Sequence, residues 1–189
     1  TNAAGASIYG RTYGVQSGII AGQTVPITIQ NSGTITSGAA TGITLFGGGT
    51  VNNASGGTIY GYFKGIAAAL VATIANAGAI SAGNYGISLA AGGTISNATS
   101  GTITGYFDGI LAAGTVAITN AGTIASRTAG NSRDGVVFAA GTLSNAAGGT
   151  ISGHLFGVSV SGAGTVVNAG TIAGATDAVA LTGTGGRLV

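Results

Sequence analysis

A single short pattern recurs along the whole chain and constrains its fold more than any other feature. It consists of an aliphatic residue, any residue, Asn, a Gly-rich step, and then Thr-Ile or a close variant. Self-similarity with a period of about 20–50 residues is the signature of solenoids and other repeat architectures. The anchoring asparagines, which lie 21 to 29 residues apart, are Asn2, Asn31, Asn53, Asn76, Asn97, Asn120, Asn145 and Asn168.

Three aliphatic, mostly β-branched positions recur in each repeat. The first is Ile8, Ile35, Ile59, Ile80, Ile103, Ile124, Ile151 and Ile172. The second is Val15, Ile43, Ile66, Ile87, Ile110, Val136, Val158 and Val179. The third is Ile29, Val51, Ile74, Ile95, Ile118, Leu143 and Val166. Three such positions, separated by Gly or Asn turns, predict three short strands per repeat.

The residues between these positions alternate as strand residues do, and helical spacing persists nowhere. We therefore predict an all-β fold over residues 1–189. It is a right-handed parallel β-helix, with the hand taken from the crossover rule. It has about eight rungs of 21–25 residues and three short strands per rung, and it forms one solenoid segment of a longer repeat protein.

Each repeated Asn shares a strand face with the preceding aliphatic residue, so its side chain is expected to point inward. A buried amide without partners would cost roughly 1–3 kcal/mol, and stacking on equivalent amides removes that cost. We interpret the column as a structural ladder: Asn31, Asn53, Asn76, Asn97, Asn120, Asn145 and Asn168. This interpretation is preferred to glycosylation, although residues 53–55 and 97–99 match the acceptor sequence.

Two segments interrupt the repeat, and interruptions are where function concentrates in repeat proteins. Residues 17–26 are longer than their equivalents and contain the only proline, Pro26. Residues 127–134 are also longer and include Arg127, Arg133 and Asp134. We predict loops at both places, the second being either a solvated loop or a contact site.

Aromatic residues recur just before a Gly in the longer rungs. The set forms a candidate contact ridge: Tyr62, Phe63, Tyr106, Phe107, His154 and Phe156. The shorter rungs are expected to lack this segment, so that the ridge projects as a bulge or corner. The aromatic side chains could cover the corner within the molecule, or they could form an exposed contact stripe. Lys64 and Asp108 of the same segments could pair across the gap between alternate rungs, although such a surface pair contributes only about 0–1 kcal/mol.

Charge and reactive groups are scarce. Only 4% of residues are charged, Glu and Cys are absent, and there is one His. The few charges are scattered singly along the sequence, which disfavours nucleic-acid binding. Paired carboxylates, metal-ligand clusters and a phosphate loop are missing, so we predict no enzyme activity and no cofactor. No apolar run approaches the roughly 20 residues of a membrane helix, so we expect no membrane insertion by this segment.

The repeats at residues 120–124 and 148–153 resemble the passenger regions of bacterial autotransporters and related large surface adhesins. The resemblance implies an extracellular or cell-surface solenoid, anchored in the outer membrane through regions not present here. It leads us to expect adhesion or self-association, with copies of itself or host and surface ligands as partners and with contacts led by the ridge.

Two alternatives stay open. The first is an extracellular fibre or matrix subunit whose solenoids stack end to end. The second is an ice-binding solenoid, suggested by an outward Thr column at Thr28, Thr50, Thr73, Thr94, Thr142 and Thr165.

Overall fold

The computed structural model describes residues 1–20, 23–127 and 133–189, and all regular structure in these ranges is β. The strands in chain order are β1 (Ser7–Gly10), β2 (Tyr13–Gln16), β3 (Ile19–Ile20), β4 (Gln23–Thr24), β5 (Ile27–Asn31), β6 (Thr34–Ser37), β7 (Thr41–Leu45), β8 (Gly49–Asn53), β9 (Thr58–Gly61), β10 (Lys64–Ala68), β11 (Ala72–Asn76), β12 (Ala79–Ala82), β13 (Tyr85–Leu89), β14 (Gly93–Asn97), β15 (Thr102–Gly105), β16 (Asp108–Asn120), β17 (Thr123–Ser126), β18 (Val136–Asn145), β19 (Thr150–Ser152), β20 (Phe156–Val160), β21 (Gly164–Asn168), β22 (Thr171–Ala173), β23 (Asp177–Leu181) and β24 (Arg187–Leu188).

These strands form a parallel β-solenoid of eight rungs, which confirms the predicted fold class. The first strands of the rungs form one eight-stranded sheet in the order β1-β6-β9-β12-β15-β17-β19-β22. The second and third strands of the rungs belong to one 14-stranded sheet. They join because β16 and β18 each run continuously through both positions, where the other rungs have two separate strands.

The three predicted aliphatic columns stack in register. Ile80 of the first column pairs with Ile59 below and Ile103 above. In the third column, Ile74 pairs with Val51 and Ile95 in the same way. These side chains are fully buried, and each contributes roughly 1.5–3 kcal/mol by leaving water. Because a parallel register brings identical β-branched residues together, the repeat itself builds the core.

A fourth core column fills the corner between the second and third strands. Its members alternate in size: Leu45, Ala68, Leu89, Ala112, Phe138 and Val160. The first residue of the third strand compensates, being Gly93 in the rung of Leu89 and Val116 in the rung of Ala112. A side chain at Gly164 would lie 2.5 Å from the Phe138 ring. The fourth and fifth rungs therefore each place one bulky group at this corner, whereas the third rung has Ala68 and Ala72 there.

The asparagine ladder is confirmed. Each Nδ2 donates a hydrogen bond to the Oδ1 of the next Asn, at 2.7–2.9 Å along the whole series from Asn2 to Asn168. The amide of Asn97 also donates to the carbonyls of Gly101 and Thr123, which closes the turn between rungs. Asn53 and Asn97 are 2% and 1% exposed, so neither acceptor sequence presents its Asn to solvent.

The segment from 17 to 26 departs from the solenoid as predicted. β3 pairs antiparallel with β4, while Ala21 and Gly22 lie outside the described residues. The buried Ser17 hydroxyl accepts a hydrogen bond of 2.7 Å from the Phe46 amide, which fixes the base of the segment to the next rung. Within the described ranges the structure contains no helix that could cross a membrane.

Candidate functional site: the charged corner

Every rung turns between its first and second strands at one edge of the rod, which we call the charged corner. The strand register places Lys64 of a longer rung beside Tyr85 of a shorter one, and Tyr85 beside Asp108. The expectation that shorter rungs lack this segment is therefore wrong. The extra residues of the longer rungs lie in the turn after the ladder Asn instead, as at Gly56 with its φ of +84°.

The predicted ridge contains two aromatic pairs in alternate rungs. Tyr62 and Phe63 meet edge to face with ring centroids 4.9 Å apart, and Tyr106 and Phe107 do so at 5.5 Å. Tyr62 is 53% exposed, Phe63 47% and Tyr106 46%. In the rung between them the equivalent residue is Gly83, where any side chain would collide with the Tyr62 carbonyl. The two pairs therefore project separately from the corner.

Tyr85 packs against the second pair and was missed by the sequence analysis. Its ring lies edge to face with Phe107 at 5.9 Å, and the Lys64 ammonium lies 5.9 Å from its centroid on the other side. The available signal was its position immediately before Gly86, which matches Lys64 before Gly65 and Asp108 before Gly109. The aromatic stripe thus extends over three rungs.

The loop residue Arg133 covers the second aromatic pair. Its guanidinium carbon lies 4.2 Å from the Phe107 centroid and 4.9 Å from that of Tyr106, within the range of cation–π attraction. Its Nε and Nη1 are buried and have no hydrogen-bond partner among the described residues. The structure therefore brings the predicted loop and the predicted ridge together into one surface.

Arg127 reaches along the same surface from the other end of the loop. Its Nη2 donates a hydrogen bond of 3.0 Å to the Ala82 carbonyl, two rungs earlier. That contact places the guanidinium near the side-chain-free position of Gly83, between the rungs of Tyr62 and Tyr106. Residues 128–132 of the predicted loop lie outside the described residues.

Two aspartates lie beneath this surface. Asp108 Oδ1 accepts the Asp134 amide at 2.9 Å, and Asp134 Oδ1 accepts the Phe156 amide at 3.1 Å in the next rung. Both residues are only 7% exposed. Lys64 and Asp108 do not form a pair. The Asp108 carboxylate is turned toward the backbone of the following rung, while Lys64 lies against Tyr85.

Burial perturbs both carboxyl groups. Loss of solvation raises the pKa of Asp108 to about 6, with a further increase from the Asp134 charge. The Asp134 amide and the Arg133 charge act in the opposite direction. Burial likewise raises the pKa of Asp134, against the lowering effect of the Phe156 amide. Because a buried charge is costly, the corner carries two acids that resist ionisation.

His154 and Phe156 continue the corner into the seventh rung. His154 is exposed, and its amide donates to the Ser126 hydroxyl at 3.1 Å. Phe156 is half-buried and pairs in register with Asp177. The ring contacts found among the described residues join Tyr62 with Phe63 and, separately, Tyr85 and Tyr106 with Phe107. His154 and Phe156 share the corner but take no part in this ring packing.

The charges that are scattered along the sequence converge at this corner. Of the five basic residues, the corner holds four: Arg11, Lys64, Arg127 and Arg133. The three acids occupy one column there, Asp108, Asp134 and Asp177. Because the acids of the fifth and sixth rungs are buried and Arg11 and Arg127 are exposed, the solvent-facing charge along this part of the corner is mainly positive.

A second, smaller apolar patch lies where the second strands turn into the third. Val71 is 64% exposed, Leu70 45% and Val25 40%. A side chain added at Gly48 would meet the Val71 carbonyl, which shows that these turns stack closely. The half-buried Phe46 lies at the same turns, and the three exposed side chains of the patch are all aliphatic and uncharged.

The outward faces of the first and third strands are rich in Thr. The predicted Thr column of the third strands faces outward, with Thr28, Thr73 and Thr94 exposed. On the first strands, the pair Thr34 and Thr36 is separated from the pair Thr102 and Thr104 by rungs that carry Tyr60 or Ser81. A regular array of paired Thr is therefore not formed, which gives no support to the ice-binding alternative.

The chain matches no protein-family model, no curated protein sequence and no solved structure. Among the described residues, no group of three or more His, Cys, Asp or Glu side chains could hold a metal ion. The charged corner is therefore judged on its geometry alone. It offers exposed rings, exposed cations and a rigid backbone, which suit it to contact with an extended partner.

Proposed function

We propose that this chain is part of a structural, adhesive solenoid at a bacterial cell surface, such as an autotransporter-type passenger or stalk. In this proposal the rod holds the charged corner away from the cell, and the corner makes the contacts of adhesion or self-association. The observation that carries the proposal is the row of exposed aromatic pairs at Tyr62 with Phe63 and Tyr106 with Phe107. Exposed Tyr and Phe anchor many protein interfaces.

The stacked backbone supports this role because it pre-organises the contact. Adjacent strands hold each turn at a fixed spacing of about 4.8 Å, so the rings lose little freedom on binding. The resemblance of the repeats to surface adhesins points the same way. It is the basis for proposing an extracellular location and anchoring through regions not present here.

Low surface charge supports close approach of two copies. Among the described residues, the strands of the eight-stranded sheet carry no charged side chain, and those of the third position carry only Arg187. Two rods can therefore lie side by side along these faces with little electrostatic repulsion. The aromatic corner then supplies the apolar anchors.

The test replaces Tyr62, Phe63, Tyr106 and Phe107 together by Ser in protein displayed on cells, with clumping followed by settling and microscopy. Clumping is expected to be lost while the far-UV circular dichroism and thermal transition of the purified chain persist. The matched control replaces Tyr9 and Tyr60, which are also exposed but lie on the first strands. Equal clumping of wild type and ridge variant would refute the assignment to the corner.

A further inference from the structure

We propose that the charged corner binds a linear polysaccharide that carries carboxylate groups. This inference rests on the proposed adhesive function and names the class of ligand that the corner would hold. It rests on the spacing of the exposed rings and on the cations that lie between and beside them.

The exposed rings repeat at a distance suited to an extended sugar chain. Tyr62 and Tyr106 occupy the same corner position two rungs apart, since Gly83 occupies it in the rung between. With strands about 4.8 Å apart, the two positions are about 10 Å apart along the rod. That is the length of two pyranose units in an extended β-linked polymer. Every second sugar unit would therefore contact an exposed Tyr side chain.

A cation lies between the two ring positions. Arg127 donates to the Ala82 carbonyl, so its guanidinium is held at the level of the empty Gly83 site while the residue stays exposed. One guanidinium nitrogen is used in this bond, and the remaining donors are available to a ligand. A sugar unit that bridges the two rings would place its substituent beside this group.

Two other cations lie at the same corner. Arg133 lies over the Tyr106 and Phe107 rings, and Lys64 lies beside Tyr85. The two nearest carboxylates, Asp108 and Asp134, are buried beneath and accept backbone amides. Guanidinium groups bind carboxylates through paired, charge-assisted hydrogen bonds. An anionic polymer therefore fits this corner better than a neutral one.

The density of charge distinguishes a polysaccharide from a nucleic acid. Four cations are distributed from the first to the sixth rung, over about 24 Å of the rod. Duplex DNA carries one phosphate charge per roughly 1.7 Å of its axis and is bound by dense clusters of Lys and Arg. Cations this sparse match the wider spacing of carboxylates along a sugar chain.

The test uses a β-1,4-linked oligomannuronate long enough to span the third to sixth rungs, titrated calorimetrically into the purified chain. The first control is its methyl ester, which keeps the sugar rings and removes the charge. We expect the acid form to bind at least about tenfold more tightly, and added salt to weaken it. Equal binding of acid and ester, or tighter binding of single-stranded DNA of equal charge, would overturn the inference.

Two sets of variants assign the contact. Arg127→Gln is expected to weaken oligomannuronate binding about tenfold, since one charge-assisted contact is lost. Tyr62→Ser with Tyr106→Ser is expected to weaken both acid and ester, and Tyr9→Ser neither. Arg127 is exposed, so its variant tests the idea without endangering the fold. Binding that is unchanged by Arg127→Gln and by the Tyr pair would contradict the assigned site.

The clumping assay separates the two proposals. If the ridge variant abolishes clumping while oligomannuronate does not bind, the adhesive function stands and the ligand class is wrong. If oligomannuronate binds at the corner while clumping is unaffected, the ligand class stands and self-association through the corner is wrong.

Discussion

Two edges of the same rod follow opposite rules. At the ladder edge every rung presents Asn, which is buried and hydrogen-bonded in every rung except that of Asn168, as at Asn76 and Asn97. At the charged corner the equivalent positions change from Lys64 to Tyr85 to Asp108. The backbone repeats equally well at both edges. A buried ladder position must keep the same residue in every rung, because an unpaired buried amide is costly. A solvent-facing position at the corner can vary from rung to rung.

Removing one ladder amide is expected to have the largest effect. Asn97→Ala leaves Asn120 Oδ1 without its side-chain donor and removes one of the three acceptors of Asn76 Nδ2. It also removes one donor from each of the Gly101 and Thr123 carbonyls. We expect a loss of about 2–4 kcal/mol in the free energy of unfolding, measured by urea denaturation. Asn168→Ala is the control because Asn168 is exposed, and its effect should be markedly smaller. Similar losses at both sites would contradict the importance of buried amide pairing.

Changing pH tests the buried acids of the charged corner. The pKa of Asp108 is about 6 in the folded protein and has its ordinary value of 3.8 when unfolded. Between these values the folded state holds more protons, so stability falls as pH rises and then levels off above pH 6. The expected loss is about 2–3 kcal/mol between about pH 4 and pH 7.

Asp108→Asn is the matched variant for this experiment, because its carbonyl can still accept the Asp134 amide. It should remove most of the pH dependence while leaving the Asn97→Ala effect unchanged. A wild-type curve that is flat between pH 4 and pH 7 would show that Asp108 is solvated.

Arg133→Gln is expected to have an intermediate effect. It removes the cation from the Tyr106 and Phe107 rings, which should cost about 0.5–2 kcal/mol. It also removes a positive charge that lowers the pKa of Asp108, so that pKa should rise further. Carboxyl chemical shifts followed through a pH titration measure the shift. Arg11→Gln serves as the control, and a lower pKa in Arg133→Gln would contradict the arrangement.

The smallest effect on stability is expected at the exposed rings. Tyr62→Ser removes a side chain that is 53% exposed, and the loss should stay within about 0.5 kcal/mol. The thermal transition measures it, with Tyr9→Ser as the control. A large loss would show that the ridge covers the corner structurally, the interpretation that the sequence left open beside the contact stripe.

The core could be predicted because stacking acts on each repeat in the same way. Ile59, Ile80 and Ile103 stand at equivalent sequence positions, and a parallel register must bring them together. The size alternation of Leu89 and Ala112 was harder to foresee. Its compensation by Gly93 and Val116 depends on how the chain turns between the second and third strands.

The ladder, the three aliphatic columns and the parallel rungs follow from local periodicity, because each inward residue needs only its own copy above and below. Local periodicity does not predict that Arg127 and Arg133 lie at the aromatic corner, where their contacts are 20 or more residues away in sequence. Solvent-facing positions carry no repeated signal, and their neighbours are set by register and by the path of the loop. Only the folded rod decides that nearly all of the charge in the chain lies along one edge.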